Sequence, residues 1–311
     1  MGRGQGVVSA GSSPQLRAAQ VAISVALGLA TIKLFGFQAT QSVALLSSAV
    51  DSCLDAVASL INLVAVRQAL VPPDRGHRFG HGKAEALAGV FQAVLIGLSA
   101  VYVVIEAAER LANPAPVSES GVGIVVMAVS MVATLALVRY QRRVARRSSS
   151  LAISADAAHY FSDVLANIVV VIALVLAAMP QLAWLDPLIA FGVAGYILHS
   201  AWVVVRTAGD QLMDHELPGD VREQIETAIR DVGEIRKLVD LRTRASGADR
   251  FVQARICLDS GLSLVEAHAI ATRVSEVVRR VLPGAQVHIV PEPAGASVMK
   301  AGRRSADATE H

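Results

Sequence analysis

Long apolar segments alternate with short polar ones over the first two-thirds of the chain. Six of them are long enough to cross about 30 Å of hydrocarbon as helices. They lie at about 15–37, 43–68, 83–111, 120–139, 150–179 and 184–207. Turn-forming or charged residues separate them, among them Pro72-Pro73 and Asp186-Pro187. The pattern predicts an α-helical membrane bundle of six transmembrane helices.

The last third of the chain has the texture of a small soluble domain. A helical stripe at Val221, Ile225 and Ile229 precedes two strand-like segments, 238–242 and 250–258. The two strand-like segments are followed by a second helix over 264–281 and by a strand over 286–290 that stops at Pro291. The order of the elements is therefore αββαβ. This order fits a ferredoxin-like α+β domain with both helices on one face of the sheet.

Four regions follow from these patterns. We expect a cytoplasmic N-terminal tail over 1–14, a six-helix transmembrane domain over 15–208, a cytoplasmic αββαβ domain over 209–294 and a disordered tail over 295–311. Because the polar N-terminus leads directly into the first apolar segment, we expect no cleavable signal peptide.

Basic residues are confined to alternate loops of the predicted bundle. Lys and Arg occur in 67–83 and densely in 139–147, which we predict to be a loop, but not in 38–40, 113–120 or 181–186. By the positive-inside rule, both termini face the cytoplasm.

Composition narrows the possible partners. The chain is 53% hydrophobic and 17% charged, whereas soluble domains contain about 25% charged residues. The net charge of +2 is small, and membrane orientation explains the arginine-rich segment, so we expect a lipid bilayer and no nucleic acid as partner. Cys53 and Cys257 lie in different predicted domains and form neither a disulfide framework nor a CxxC zinc motif.

Two polar pairs lie inside the predicted spans: Asp51 with Asp55, and His159 with Asp163. Each pair is spaced i, i+4, so its two side chains share one helix face. A carboxylate at the bilayer centre costs at least ~2.5 kcal/mol on insertion scales. On antiparallel helices both pairs come near the midplane. They then supply a tetrahedral nitrogen and oxygen site, which favours Zn²⁺, Cd²⁺, Co²⁺ or Fe²⁺ over Mn²⁺ and Mg²⁺.

Other polar residues near these pairs have simpler interpretations. The pairs themselves could be interhelical hydrogen bonds that hold the bundle together. Asn167 extends the second pair by one turn, where helix packing or support of a ligand suits it better than ligation. We expect Asp156 to lie nearer the cytoplasmic mouth and only attract cations. Cys53 lies about 200° around the helix from Asp51 and is not expected to ligate.

A second candidate metal site lies in the loop between the second and third spans. Asp74, His77 and His81 are close together in the sequence. Their spacing permits a metal site, although a loop with two histidines is more often solvated.

Three motifs carry a specific resemblance: Asp51-Ser52-Cys53-Leu54-Asp55, the stretch from His77 to Glu85, and His159-Tyr160-Phe161-Ser162-Asp163. Together they resemble the cation diffusion facilitator family, and in particular its bacterial ferrous-iron and zinc efflux branch. The resemblance covers about 15–293.

The resemblance implies a homodimer in the bacterial inner membrane that exchanges cytoplasmic divalent metal for protons. It implies a transport site at Asp51, Asp55, His159 and Asp163, with loop ligands Asp74, His77 and His81. It implies neither enzymatic activity nor a cofactor, because the metal is the substrate.

The cytoplasmic domain departs from the family pattern. Relatives hold a binuclear zinc site across the domain dimer, and alignment with them puts Val239, Arg255, Val290 and Glu292 at four of the ligand positions, with only His268 matching. Since valine and arginine do not ligate zinc, we expect no binuclear site. We expect an ion pair between Arg255 and Glu292 instead.

Ligand chemistry suggests how metal and proton movements are coupled. Carboxylates and imidazole bind metal only when deprotonated, so metal and protons compete for one site. Alternating access at that site then suffices for exchange. Three alternatives remain open: a Fe²⁺- or Mn²⁺-selective exporter, a non-transporting metal sensor or scaffold, and an intramembrane metalloenzyme. The chain lacks the HExxH motif and a paired protease motif that the enzyme would need.

Overall fold

The computed structural model describes residues 13–41, 43–112, 121–177 and 185–294. They form two compact units, divided between Leu212 and Met213. Six long helices make up the described part of the first unit. They are α1 (Pro14–Thr40), α2 (Val43–Ala69), α3 (Lys83–Ala112), α4 (Gly121–Ser148), α5 (Leu151–Ala177) and α6 (Leu185–Leu212).

The described residues contain five helices that are long and apolar enough to cross a membrane: α1, α2, α3, α4 and α6. Helix α5, which carries the polar residues Asp156, His159 and Asp163, is not among them. A helical bundle followed by a small α+β domain is therefore confirmed, while the sixth span stays a prediction. The predicted loops at 113–120 and 181–184 and the predicted terminal tails lie outside the described residues, apart from Ser13 and Pro14.

Small side chains line the helix contacts of the first unit. Alanines of α3 pack against alanines of α6 in one buried cluster, and α1 buries Ala18, Ala19 and Ala22 completely. Small residues let helix backbones approach closely, which is the usual basis of packing where lipid removes the hydrophobic drive. Large apolar side chains such as Leu54 and Val64 point outward instead.

The arginine-rich segment 139–147 is helical, so its prediction as a loop was wrong. Helix α4 continues through it to Ser148, and Ser149 then takes a left-handed conformation with φ of 52°. Arginine is a good helix former, so the change from apolar to charged residues marks a change of solvent and not the end of the helix. Helix α6 likewise extends to Leu212, beyond the expected 207.

The second unit contains α7 (Gly219–Arg230), β1 (Lys237–Ser246), β2 (Asp249–Leu258), α8 (Leu264–Val281) and β3 (Gln286–Pro293). The sheet order is β1-β2-β3, with β2 antiparallel to β1 and parallel to β3. Both helices bury apolar residues in a core shared with the sheet, including Ile225, Ile229, Val252, Ile256 and Val274.

Local chemistry defines the ends of these elements. Ser263 and Glu266 form a capping box at the start of α8, and the hydrogen bond from the Ser263 side chain lowers the pKa of Glu266. Strand β3 runs through Pro291 to Pro293, so the prediction that it stops at Pro291 was wrong. Because β3 is an edge strand paired only with β2, a proline that donates no hydrogen bond is tolerated there.

Candidate metal centres

Helices α2 and α5 bring Asp55, His159 and Asp163 together. The Nε2 atom of His159 lies 3.3 Å from Asp55 Oδ1 and 3.8 Å from Asp163 Oδ2. One potential ligand atom from each residue lies within 4.8 Å of the other two. The group therefore offers one imidazole nitrogen and two carboxylate oxygens at a spacing that a single metal ion can bridge.

A neutral hydrogen bond beside this group joins the same two helices. The hydroxyls of Ser59 and Tyr160 lie 2.7 Å apart, and both residues are buried. Ser59 lies one turn after Asp55, and Tyr160 directly follows His159. The contact between Asp55 and His159 and this hydrogen bond thus fix the register of α2 against α5.

The ligand atoms combine burial with access. The His159 side chain is 7% exposed, whereas those of Asp55 and Asp163 are 22% and 27% exposed. Asp163 Oδ2 is buried and accepts no hydrogen bond, and His159 Nδ1 is also unpartnered. A carboxylate oxygen left this way inside an apolar bundle is suited to a cation.

Asp51 lies one turn before Asp55 on α2 and does not belong to the three-residue group. Its side chain is exposed, as are those of Cys53 and Asn167. Asp51 as the fourth ligand therefore stays a prediction, and so does ligation by the three grouped residues.

Lys33 of α1 is a polar neighbour of this site that sequence reasoning missed. Its Nζ donates hydrogen bonds to Ser52 Oγ (2.7 Å) and to the Ser48 carbonyl oxygen (3.2 Å), both on α2. The available signal was a basic residue inside an apolar segment, which is costly in a bilayer.

Asp156 is fully buried and hydrogen-bonded, whereas its position nearer the cytoplasmic mouth stays a prediction. Its carboxylate accepts hydrogen bonds from Gln92 of α3 (3.0 Å) and Gln141 of α4 (2.5 Å). The buried Asn62 amide of α2 lies near the same carboxylate but makes no hydrogen bond within the described residues. Two of these amide residues, Asn62 and Gln92, lie in predicted apolar helices and were the signal for this cluster, whereas Gln141 lies in the segment predicted to be a loop. The four residues of the cluster come from four helices.

The loop residues Asp74, His77 and His81 form the second candidate centre, again with ligand atoms within 4.8 Å of one another. Asp74 Oδ2 lies 3.4 Å from His81 Nε2, and Asp74 Oδ1 lies 3.6 Å from His77 Nδ1. The His81 Nδ1 atom lies 3.3 Å from the carbonyl oxygen of Val71. The arrangement places one carboxylate between two imidazoles.

The loop backbone holds this carboxylate in place. Asp74 Oδ1 accepts hydrogen bonds from the backbone N–H groups of His77 (2.6 Å) and Gly76 (2.8 Å). These bonds, that of His77 foremost, lower the pKa of Asp74. The loop therefore presents an ionised carboxylate without help from a metal.

In the cytoplasmic domain, the expected ion pair between Arg255 and Glu292 is confirmed. Arg255 of β2 donates through Nε to Glu292 Oε1 (2.8 Å) and through Nη2 to Oε2 (3.0 Å). This two-bond contact raises the pKa of Arg255. The pair lies within one chain, so each group is already neutralised without a metal or a second subunit.

Comparison with known proteins covers nearly the whole chain. Residues 19–213 match the family described as "Cation efflux transmembrane domain", and residues 217–294 match "Cation efflux protein, cytoplasmic domain". The "Cation-efflux pump FieF" of Klebsiella pneumoniae is 41% identical over 279 residues, which cover 89% of this chain and 92% of that protein. The protein of the same name from Escherichia fergusonii is 40% identical over 290 residues, covering 93% and 95%.

Among solved structures, a nickel form of a MamM CTD variant is similar to part of this chain. It is 23% identical and covers 24% of this chain and 98% of its own, with a TM-score of 0.24.

Proposed function

Because this chain belongs to the cation efflux family, also called the cation diffusion facilitators, we propose that it exports cytoplasmic Zn²⁺ in exchange for protons. The family assignment makes it a multi-pass membrane protein and a cation efflux transporter. A family of transporters and not of enzymes agrees with the expectation that the chain has no enzymatic activity.

The grouping of Asp55, His159 and Asp163 carries the proposal. Two apolar helices converge on one imidazole and two carboxylates, with ligand atoms within 4.8 Å. A mixed nitrogen and oxygen set suits Zn²⁺ and its softer neighbours Fe²⁺, Co²⁺ and Cd²⁺. Asp51, one turn away on α2, completes a four-ligand site when the helices adjust to a bound ion.

Proton exchange follows from the same ligands. Metal binding requires deprotonated carboxylates and a neutral imidazole, so an ion arriving from the cytoplasm displaces protons. When the site opens to the other side, protons displace the ion. Alternating access at a single site is enough to couple the two fluxes.

The remaining parts of the proposal concern assembly and supply. The chain forms a homodimer in the bacterial inner membrane, with six spans and both termini in the cytoplasm. Asp74, His77 and His81 bind metal at the cytoplasmic surface and deliver it toward the transport site. Their position in a loop rich in basic residues agrees with a cytoplasmic location.

Flux measurements in proteoliposomes test the transport proposal. Zinc, iron and manganese uptake under an imposed pH gradient is compared for wild type, Asp51→Ala, Asp163→Ala and the matched control Cys53→Ala, an exposed position on α2. We expect gradient-dependent zinc flux that both aspartate variants lose and the cysteine variant keeps.

Other outcomes separate the alternatives. Flux of iron or manganese alone keeps the mechanism and changes the substrate. Metal binding without flux of any ion favours the sensor or scaffold. Zinc flux retained in Asp163→Ala would contradict the proposed site. Zinc flux retained in Asp51→Ala but lost in Asp163→Ala would remove Asp51 from the ligand set.

A further inference from the structure

Lys33 is held inside the bundle beside the proposed transport site. Lysines in membrane helices usually extend toward the interface, where water solvates the ammonium group. The Lys33 ammonium instead donates hydrogen bonds across to α2, to Ser52 Oγ at 2.7 Å and to the Ser48 carbonyl at 3.2 Å. Ser52 is itself only 2% exposed and lies between Asp51 and Asp55 in the sequence. The charge of Lys33 is therefore anchored on the helix that carries two proposed ligands.

The charge of Lys33 acts on the carboxylates of this site. It interacts electrostatically with Asp55, Asp51 and Asp163. Seen from Asp163, the interacting charged groups are His159, Asp55, Asp51 and Lys33. Among these groups, Lys33 is the one whose positive charge does not come from a proposed ligand.

Charge balance shows what this lysine contributes. Three ionised carboxylates and a neutral imidazole carry a formal charge of −3, and a divalent ion reduces it to −1. An unbalanced charge away from water is costly, by several kcal/mol after relaxation. The ammonium of Lys33 brings the metal-loaded site to zero. A monovalent ion would leave a negative site and a trivalent ion a positive one.

We propose that Lys33 is the built-in counter-cation of the transport site. It balances the third carboxylate when a divalent ion is bound, and it repels that ion enough to permit its release. This inference rests on the proposed transport function. Lys33 does not ligate the metal; it is a positioning and selectivity residue that acts through its charge.

The sign of the expected change separates this role from a structural one. Removing the charge while keeping the length of the side chain, in Lys33→Met, removes a repulsion between ammonium and metal. Zinc then binds about tenfold tighter or more, the equivalent of about 1.4 kcal/mol, and leaves more slowly. Loss of a purely structural hydrogen bond between α1 and α2 would disturb the site and weaken binding instead.

The test measures zinc affinity and maximal zinc flux on the full chain. All variants carry Asp74→Ala, His77→Ala and His81→Ala, so that loop binding does not mask the transport site. We expect a lower Kd together with a lower maximal flux in Lys33→Met, and both parameters near wild type in Lys33→Arg, which keeps the charge. Thr31→Ala, an exposed position on α1, is the matched control and stays unchanged.

Two further variants keep the test decisive. Lys33→Gln replaces Lys33→Met if the latter does not fold, with the same expected direction. Ser52→Ala removes the anchor but keeps the charge, and we expect a smaller gain in affinity. An unchanged or higher Kd in both neutral variants overturns the counter-cation role. If the wild-type chain still carries zinc in that case, the proposed transport function stands. A wild-type chain that neither binds nor carries zinc overturns both.

Discussion

The two candidate metal centres use the same side chains in opposite settings. The intramembrane group joins Asp55 to His159 across 104 residues of sequence, on two helices. The loop group lies between Asp74 and His81, and turns of one segment hold it together. Their exposure differs at two of the three loop residues: the Asp74 side chain is 51% exposed and that of His77 is 65% exposed, whereas His81 is 7% exposed, like His159.

This difference assigns distinct tasks to similar chemistry. An ion held between α2 and α5 senses any relative movement of the helices, so binding there is coupled to conformation. An ion in the loop meets a local, solvated group that survives helix movement and exchanges quickly with the surroundings. We infer that the intramembrane group determines transport and selectivity, and that the loop group changes only the supply of metal.

The largest expected effect is the loss of transport when the intramembrane group is cut. Asp163→Ala removes a proposed ligand whose buried Oδ2 atom has no hydrogen-bond partner. We expect zinc flux to fall by more than ~100-fold, because mutation of residues that only support the ligands already lowers metal affinity or activity by up to about 100-fold. A triple alanine variant of the loop keeps most of its flux at saturating zinc. The measurement is initial uptake into proteoliposomes. If the loop variant carried no zinc while Asp163→Ala still did, the division of tasks would be reversed.

A change of ligand type sharpens the comparison through selectivity. His159→Asp turns the intramembrane group into an all-oxygen set, which harder ions prefer. We expect the ratio of manganese to zinc flux to rise by about tenfold or more. His81→Asp makes the same substitution in the loop and leaves the ratio unchanged. Competition between the two ions at equal concentrations gives both ratios, and a shift in the loop variant alone would contradict our inference.

A moderate effect is expected at Asp74 of the loop. With Asp55→Ala and Asp163→Ala as background, Asp74→Asn lowers zinc affinity of the loop by about tenfold, because a carboxylate ligand is replaced by a neutral amide. The two backbone N–H donors keep an acceptor in asparagine, so loop structure is retained. Calorimetric zinc titration gives the affinity, and unchanged affinity would mean that Asp74 only shapes the loop.

The pH dependence of the loop has a defined sign. The pKa of Asp74 is lowered in the folded loop, so its stabilising contribution is present above the ordinary carboxyl pKa and is lost only as the pH falls through the lowered value. Acidification from pH 7 to pH 5 therefore leaves the Asp74 carboxylate ionised, so a loss of zinc binding over this range does not come from Asp74. We expect Asp74→Asn to show the same acid loss as the parent. A profile that shifts with the substitution would show that Asp74 itself titrates.

The smallest expected effect concerns the ion pair of the cytoplasmic domain. Arg255→Glu places two carboxylates side by side and lowers the thermal midpoint slightly, and adding Glu292→Arg restores it. Calorimetry on the isolated domain, which has its own core, should detect no tight stoichiometric zinc uptake. Such uptake would contradict the interpretation that this domain has an ion pair, and no binuclear zinc site, at the positions where its relatives bind metal.

Sequence pattern predicted most of the fold and much of the candidate site, for identifiable reasons. Residues spaced i, i+4 share a helix face, so the pair His159 and Asp163 could be anticipated. The contact of His159 with Asp55 was expected because both lie at similar depth on antiparallel helices. Helix α8 begins at Leu264 and ends at Val281, the bounds that the sequence predicted. Whether Asp51 joins its neighbours depends on helix rotation, which one sequence does not encode visibly.

Two of the missed features depend on contacts between distant segments. The burial of Asp156 arises from Gln92 and Gln141 on other helices, and nothing near Asp156 in the sequence announces them. Lys33 likewise reads as a lone charge until α2 is placed beside it. The end of α4 was missed because hydropathy reports the boundary of the membrane, whereas propensity and the Ser149 backbone define the end of the helix.

The hydrogen bond between Ser59 and Tyr160 has a consequence for how such a protein can change over generations. It joins α2 to α5 beside the ligands with two neutral hydroxyls, so the helix contact does not depend on which ion is carried. Under the proposed function, a substitution at His159 changes the ligand set while this hydrogen bond between α2 and α5 remains. Because helix packing and metal binding depend here on different side chains, the metal preference can change in evolution through single substitutions that leave this helix contact in place.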